Sequence, residues 1–475
     1  MIEQVDTISD SLGSPPIVGG QVPPIGDLPL PQGFGALPAN ADIPSTPMEI
    51  FHTTISVFVV AFLVTLFVTP LMRQLALRNG VVDMPSDSRK MHSTPIAYLG
   101  GVAIFIGMMA AIAFTYIEPD LEPRIDLIGT HLSAYDQMSI PFSIVLGMML
   151  IMLTGLLDDV TQLSPRIKIG GQLIAAAALA MNNIGTTVAA GVLQPIGKLI
   201  GNTTLTWEFA VPFFNTTAHV DLIYWTGVVI IALFVLGACN ASNLIDGLDG
   251  LCTGVTSIAL GALLIIALLM AAADTGHLDG ARVTLCLAAL GATLGFLPFN
   301  YKPANIFLGD AGSMLLGYIT IVLILSLGDT GKTHFVVSGL VIYAIPIIDT
   351  TLAMVRRRLQ HRPMSEADDQ HLHHMLQRWL GVHGAVLSLY GLALLFGALG
   401  VWLTFGRVRV VMTFALVLAS FIGVTAVKLV RRQLSAEPAA MPASAAHGRS
   451  DPDPQQPPRP VSPTRGSKPR KPEPV

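Results

Sequence analysis

Charge is scarce in this chain. Asp, Glu, Lys and Arg make up 12% of its 475 residues, while 52% are hydrophobic and the mean hydropathy is +0.63. A soluble chain of this length would form two or three domains with charged surfaces, and this composition cannot cover them. Cysteine is scarcer still. Cys239, Cys252 and Cys286 lie in or beside hydrophobic runs without paired spacing, which excludes a disulfide framework or a zinc cluster and leaves them as packing residues. Residues 1–47 hold no Lys or Arg, so the basic-then-apolar pattern of an ordinary signal peptide is missing. Polar helix faces are missing too. Runs such as Ile55 to Leu71, Gly101 to Ile117, Ile140 to Leu157, Tyr224 to Ala238 and Leu251 to Ala273 approach the roughly 20 apolar residues that cross a bilayer.

What is present is an all-α polytopic membrane chain. Eleven spans are expected near 50–72, 97–117, 139–157, 167–184, 222–240, 250–273, 282–299, 312–328, 336–355, 383–404 and 409–430. Residues 1–47, rich in Pro, Gly and Asp, read as a disordered extension ahead of a catalytic membrane domain over 48–432. The first span is expected to act as an uncleaved anchor, with Met48 a candidate start. Residues 433–475 read as a disordered, basic, Pro-rich tail, and 185–220, broken by Gly and Pro, as a small outer β-hairpin.

An odd number of spans puts the termini on opposite sides. With the N terminus outside, the inner loops hold Arg73, Arg78, Arg89, Lys90, Arg166, Lys168, Lys302, Arg356, Arg357, Arg358, Arg362 and Arg378. The outer loops hold only Arg124, Lys198, Arg282, Lys332, Arg407 and Arg409. The positive-inside rule selects this orientation, with a cytoplasmic C terminus. The net charge of −4 gives no footprint for a nucleic acid polymer; the expected surroundings are a lipid bilayer.

In that orientation the dense polar clusters fall on one side. An ionised Asp at mid-bilayer costs roughly 2.5–3.5 kcal/mol, so carboxylates at span ends need a partner, water or a metal. The first cluster runs from Asp83 to His92, where Arg89, Lys90 and His92 can hold a phosphate by charge-assisted hydrogen bonds. The second is Asp158-Asp159, two adjacent residues that point about 100° apart on a helix and so take different jobs. The third runs from Asn240 to Gly250. Asp246 and Asp249 share a face if helical, and Asn240 and Asn243 supply the amides that reading a nucleobase requires.

The fourth cluster, Phe299 to Ser313, carries Asp310 between Gly309 and Gly312. Mg²⁺ prefers one or two carboxylates together with substrate phosphates, which makes Asp310 the leading metal ligand. The fifth joins Asp349 and Arg356-Arg357-Arg358 to His371-Leu372-His373-His374. On a helix His371 and His374 share a face and His373 points elsewhere. No Cys or H-E-x-x-H pattern supports zinc here, and imidazoles facing a diphosphate or sugar suit the acidic loops better. For the arginines, membrane anchoring is the plainer reading.

Together these segments, from about residue 50 to 380, resemble the polyprenyl-phosphate N-acetylhexosamine-1-phosphate transferase family. The likeness rests on D-x(5)-R-K-x-H, Asp158-Asp159, N-x-x-N-x-x-D-G-L-D-G, P-A-N-I-F-L-G-D-A-G-S and H-L-H-H, the last form being that of the N-acetylglucosamine branch. The resemblance implies a UDP-N-acetylhexosamine donor, an undecaprenyl phosphate acceptor, Mg²⁺ with Mn²⁺ as a substitute, release of UMP, and a multi-pass inner-membrane enzyme that can form a homodimer. It implies catalytic roles for Asp158, Asp159, Asp246 and Asp249, and substrate contacts from Lys90, His92, Asn240, Asn243, His371, His373 and His374. Asp310 and Asn243 are the implied metal positions.

Two departures stand out: Asp368-Asp369-Gln370 precedes His371 where relatives carry a basic residue, and Pro95-Ile96-Ala97 replaces Pro-x-Pro. The runner-up within the family is phospho-N-acetylmuramoyl-pentapeptide transfer. A transporter would place its polar site at the midplane rather than at one face. A CDP-lipid phosphatidyltransferase would carry an Ala-Arg pair after its Asp-Gly, which is absent here.

Overall fold

The computed structural model describes residues 46–84, 95–116, 140–202, 204–211, 216–273, 275–276, 278–359 and 371–436. Residues 1–45 of the extension, 437–475 of the tail, and Lys90 and His92 lie outside the described residues, while residues 433–436, read in the sequence as tail, continue the last helix. The helices are α1 (Pro47–Asn79), α2 (Gly100–Phe114), α3 (Phe142–Thr161), α4 (Pro165–Met181), α5 (Ala190–Leu199), α6 (Leu222–Ile245), α7 (Leu251–Ala272), α8 (Asp279–Asn300), α9 (Gly309–Ser326), α10 (Thr333–Ile342), α11 (Ala344–Leu359), α12 (Leu372–Thr404) and α13 (Val408–Ala436). Two antiparallel pairs accompany them: β1 (Val82–Asp83) with β2 (Ile96–Ala97), and the hairpin β3 (Thr206–Val211) with β4 (Thr216–Asp221).

Each of the eleven expected spans falls on helix, but fewer helices are long and apolar enough to cross a membrane. Among the described residues seven qualify, or eight if α10 and α11 form one bent span. The window 97–117 overran because Ile96–Ala97 is drawn into β2, leaving α2 with 15 residues. At about 1.5 Å per residue, that falls well short of a hydrocarbon core of about 30 Å. The window 336–355 bends by 77° between α10 and α11. Pro346 accounts for the bend locally: its ring clashes with the carbonyl four residues back, at Ile342, where α10 ends.

At the centre stands α9, buried along nearly its whole length and packed against α2, α3, α6, α7 and α8. Small residues allow this. A β-carbon on Gly101 would run into the backbone of Gly312, and one on Gly155 into the backbone of Ala311. With hydrocarbon on all sides, such close backbone approach is a main source of helix association. The start of α9 is thereby held between the start of α2 and the end of α3, and that meeting point carries the polar clusters.

Away from it, Arg282 is buried in α8 against Asp279 and Asp329, and donates to Ser326 O at 2.7 Å. Sequence placed this arginine in an outer loop, and the two carboxylates explain its burial instead.

Candidate active site

The site is built from the first turn of α9. Gly309 adopts φ 71°, a left-handed conformation open to glycine, and turns the chain so that Asp310 enters the first helical turn. Asp159, near the end of α3, accepts hydrogen bonds from the backbone N–H groups of Asp310 (2.8 Å) and Ala311 (3.1 Å). A helix start leaves such N–H groups without internal partners and carries the positive end of the helix dipole. Asp159 therefore caps a helix more than 100 residues further along the chain.

Asp158 faces a different group, as adjacent helical residues must. Lys168 Nζ lies 2.6 Å from Asp158 Oδ2 and 2.7 Å from Asp310 Oδ2, while Asp158 Oδ1 accepts from Leu163 N–H at 2.8 Å. Asn243 donates to Asp310 Oδ1 (2.7 Å) and to Ser313 Oγ (3.1 Å). One lysine thus joins two carboxylates from two helices, with an amide steadying the second.

Residues 246–250 leave the helix, so Asp246 and Asp249 do not share a helical face. Asp246 ends α6, half-buried. Burial, reinforced by the charges of Asp310, Asp159 and Asp249, pushes its carboxyl well above the usual carboxylate range. Asp249 accepts from Ala304 N–H at 3.1 Å, and Tyr390 donates to Gly250 O at 2.6 Å. The loop is thereby pinned to the 300–308 segment and to α12.

That segment is itself clasped. Gly100 N–H and Gly101 N–H at the start of α2 donate to Phe307 O (3.1 Å) and Leu308 O (2.9 Å), Phe307 N–H donates to Ala97 O (2.8 Å), and Arg73 Nε donates to Asn305 O (3.0 Å). Tyr98 joins from the β1–β2 side. Its own burial, then the charge of Asp83 beside it, pushes its hydroxyl above the usual tyrosine range.

The histidines arrange themselves differently from the helical-face expectation. His371 is extended, with φ −60° and ψ 153°, and precedes α12 instead of belonging to it. Its ring therefore stacks with His373, at 5.5 Å between centroids and 12° between planes, and both Nδ1 atoms face Asp349. His374 packs against His373 with ring centroids 4.2 Å apart and planes tilted by 47°. A β-carbon on Gly247 would run into His373 Nε2, so the histidine segment adjoins the 246–249 loop.

Of the residues singled out in the sequence, Asp158, Asp159, Asn243, Asp246, Asp249, Asp310 and the histidines thus form one connected region. Asn240 stands apart, one turn earlier in α6 than Asn243, where its amide donates to Leu236 O (2.7 Å) and to the buried Gln172 (3.0 Å). Arg356 is buried, so lipid anchoring does not account for it. Lys168 was counted only as a loop charge. Its pairing with residues 10 and 142 positions away leaves no trace in local spacing.

Among the described residues no three His, Cys, Asp or Glu side chains gather as a metal cage. The two carboxylates that meet at the Lys168 ammonium nonetheless suit Mg²⁺, which takes one or two carboxylates and fills its shell with water and substrate phosphates. Asn243 faces this pair with its N–H side, as a donor to Asp310.

A bundle of apolar helices, seven or eight of them long enough to cross a membrane among the described residues, carrying an acidic, lysine-bridged cluster where several helices end, defines a polytopic membrane protein. The family described as Glycosyl transferase family 4 matches residues 141–328. A probable undecaprenyl-phosphate N-acetylglucosaminyl 1-phosphate transferase of Bacillus subtilis (strain 168) is 31% identical over 378 residues, 77% of this chain and 91% of that protein. A decaprenyl-phosphate N-acetylglucosaminephosphotransferase of Mycolicibacterium smegmatis is 30% identical, covering 78% of this chain and 87% of its own length. A phospho-N-acetylmuramoyl-pentapeptide-transferase of Bacillus cytotoxicus is 31% identical over 54% of this chain and 70% of its own. The chain belongs to glycosyl transferase family 4, in its polyprenyl-phosphate N-acetylhexosamine-1-phosphate transferase group.

Proposed function

We propose that this protein transfers N-acetylglucosamine 1-phosphate from UDP-N-acetylglucosamine to undecaprenyl phosphate. It releases UMP and leaves a lipid-linked diphosphate sugar for cell-envelope polysaccharide synthesis. The observation that carries this reading is the meeting of Asp158 and Asp310 at Lys168, directly beside the Asn243–Asp249 loop. The relatives with this activity in their names are matched over more of the chain than the muramoyl-pentapeptide relative, 77% against 54%.

The acceptor phosphate attacks the sugar-bearing phosphorus, the bond from that phosphorus to the bridging oxygen breaks, and UMP departs with that oxygen. Such transfers are accelerated mainly by alignment and by electrostatic stabilisation of the phosphoryl oxygens. Mg²⁺, or Mn²⁺ in its place, supplies charge neutralisation of the diphosphate when held by Asp310 and Asp158. Lys168 adds fixed positive charge at the same point, and Asn243 and Asp159 keep Asp310 in place. The Asp246–Asp249 loop receives the nucleoside, and His371, His373 and His374 line its diphosphate side.

No general base is required of Asp158 or Asp159. A phosphate monoester with a second pKa near 6 is already a dianion at neutral pH, and the oxygens of Asp159 are committed to backbone N–H groups. Arg73, Arg166, Lys168 and Lys302 lie at the helix ends and segment that form this site, and by the positive-inside rule they support a multi-pass plasma-membrane protein with the site facing the cytoplasm.

The test is purified full-length protein with Mg²⁺, undecaprenyl phosphate and a panel of UDP-sugars that includes UDP-N-acetylmuramoyl-pentapeptide, followed by UMP release. UMP is expected from UDP-N-acetylglucosamine, and Asp310→Asn is expected to lower its rate by about 10²–10³-fold or more. No UMP from any UDP-N-acetylhexosamine, or wild-type rates in Asp310→Asn, would overturn the reading.

A further inference from the structure

Asp349 lies outside the set of residues that the motifs assign to the reaction, but its carboxylate organises the whole H-L-H-H segment. It sits in α11 at 2% exposure. Asp349 Oδ1 accepts from Leu372 N–H at 2.8 Å, while Oδ2 lies 3.2 Å from His371 Nδ1 and 3.6 Å from His373 Nδ1. A single buried side chain thereby fixes the start of α12 and the plane of His371, and through the stack on His371 and the charge beside its Nδ1 it orients His373 as well.

A histidine whose Nδ1 faces a carboxylate presents Nε2 on the opposite side of the ring, and the carboxylate decides that orientation. For His373 the opposite side is Gly247, in the loop between Asp246 and Asp249. His373 is 1% exposed, and among the described residues neither of its ring nitrogens has a hydrogen-bond partner. Buried polar atoms are almost always satisfied, so an unpaired nitrogen directed at a proposed ligand loop is a group awaiting a ligand.

We propose that Asp349 is a positioning residue for sugar-phosphate transfer: it locks the His371–His373 pair so that His373 Nε2 is presented at the 246–249 loop to the diphosphate of the donor. This rests on the nucleotide-sugar reading above. Asp349 does not touch substrate; it acts through the imidazoles, and Gly247 is the point at which they reach the loop.

Asp349→Asn keeps the side chain's shape and removes its charge. The KM for UDP-N-acetylglucosamine is expected to rise about 10- to 100-fold, by analogy with the loss when the carboxylate behind a metal-bound histidine is removed. The KM for undecaprenyl phosphate should stay within about twofold, because the carboxylate acts on the nucleotide side alone. UDP binding to the detergent-purified full chain, measured by calorimetry, should weaken by a similar factor without any turnover.

Asp349→Asn combined with His373→Ala should lose no more than His373→Ala alone, since both remove one interaction. Gly247→Ala displaces His373 without touching Asp349 and should raise the same KM; it decides the matter if the Asp349 variant does not purify as a single species. Unchanged donor KM in either variant, or losses that multiply in the double variant, would overturn the positioning role. Wild-type protein that binds no UDP would instead overturn the nucleotide-sugar reading and the role with it.

Discussion

Replacing Asp159 with Asn keeps the shape of the side chain and removes one acceptor. In the wild type both carboxylate oxygens accept backbone N–H groups at the start of α9, from Asp310 at 2.8 Å and from Ala311 at 3.1 Å. An asparagine can accept one of these bonds, but its amide nitrogen then faces the other N–H, donor against donor. A hydrogen bond to a charged group contributes about 1.5–3 kcal/mol, and an N-cap about 0.5–2 kcal/mol. Asp159 is only half-buried, so water recovers part of this, leaving a net loss of about 1–2 kcal/mol. Because the lost bond holds the backbone of Asp310 itself, the loss should appear in how well Asp310 is placed.

At 1.4 kcal/mol per tenfold, that is a factor of about 5 to 30 in the Mg²⁺ concentration giving half-maximal UMP release. At saturating Mg²⁺ the turnover of Asp159→Asn should return to within about threefold of wild type, because a positioning defect is compensated once the site is filled. The assay is UMP release across a Mg²⁺ titration, with thermal unfolding of the same preparation as a check on folding. An unchanged Mg²⁺ midpoint with turnover reduced by about 10³-fold or more would refute the capping argument. Asp159 would then be a chemical participant.

Lys168→Met removes the ammonium that joins Asp158 and Asp310. Mg²⁺ should then raise the unfolding temperature more than in wild type, with an apparent affinity tighter by about tenfold; equal shifts would show that lysine and cation do not compete. Asn243→Ala should lower kcat/KM by about 10- to 100-fold through the loss of its bond to Asp310, whereas Asn240→Ala, whose amide serves Gln172 and its own helix, should stay within about threefold. The reverse order in steady-state kinetics would restore Asn240 as the nucleobase reader. Arg282→Met removes the counter-charge of the buried carboxylates of Asp279, which keeps hydrogen bonds from Thr275 and Gly276, and Asp329, and should cost about 3–5 kcal/mol in stability, read by thermal unfolding. A simultaneous change of both aspartates to Asn should recover much of it, and no recovery would mean that the guanidinium serves another purpose.

The way these residues divide shows which parts of the site were legible in the sequence. Asp310, Asn243 and the Asp246–Asp249 loop could be read because each sits in a contiguous stretch whose glycines and carboxylates have no use in a lipid-facing helix. The division of labour between Asp158 and Asp159 could be read as a necessity, since neighbours on a helix diverge by about 100°, but not which took which part. That depends on α4 bringing Lys168 to one side and on the start of α9 arriving at the other. The same limit explains the histidines. Spacing on an ideal helix paired His371 with His374, whereas the backbone is still extended at His371, and Asp349 draws His371 and His373 together instead.

Hydropathy marked eleven spans where seven or eight helices qualify among the described residues, for a related reason. Hydropathy reports what a segment can bury and says nothing of the bonds that take its ends away, such as the pairing of Ile96–Ala97 with Val82–Asp83 ahead of α2. The bend at Pro346 was written in the sequence in a form that apolar windows ignore. Local chemistry therefore picked out residues that the fold brings together. The contacts that decide each residue's task, Lys168 with Asp158 and Asp310, Asp159 with α9, and Asp349 with the imidazoles, all join separate elements. At such pairs a conservative substitution separates positioning from chemistry, because it alters the hold on a neighbour and leaves the neighbour itself unchanged.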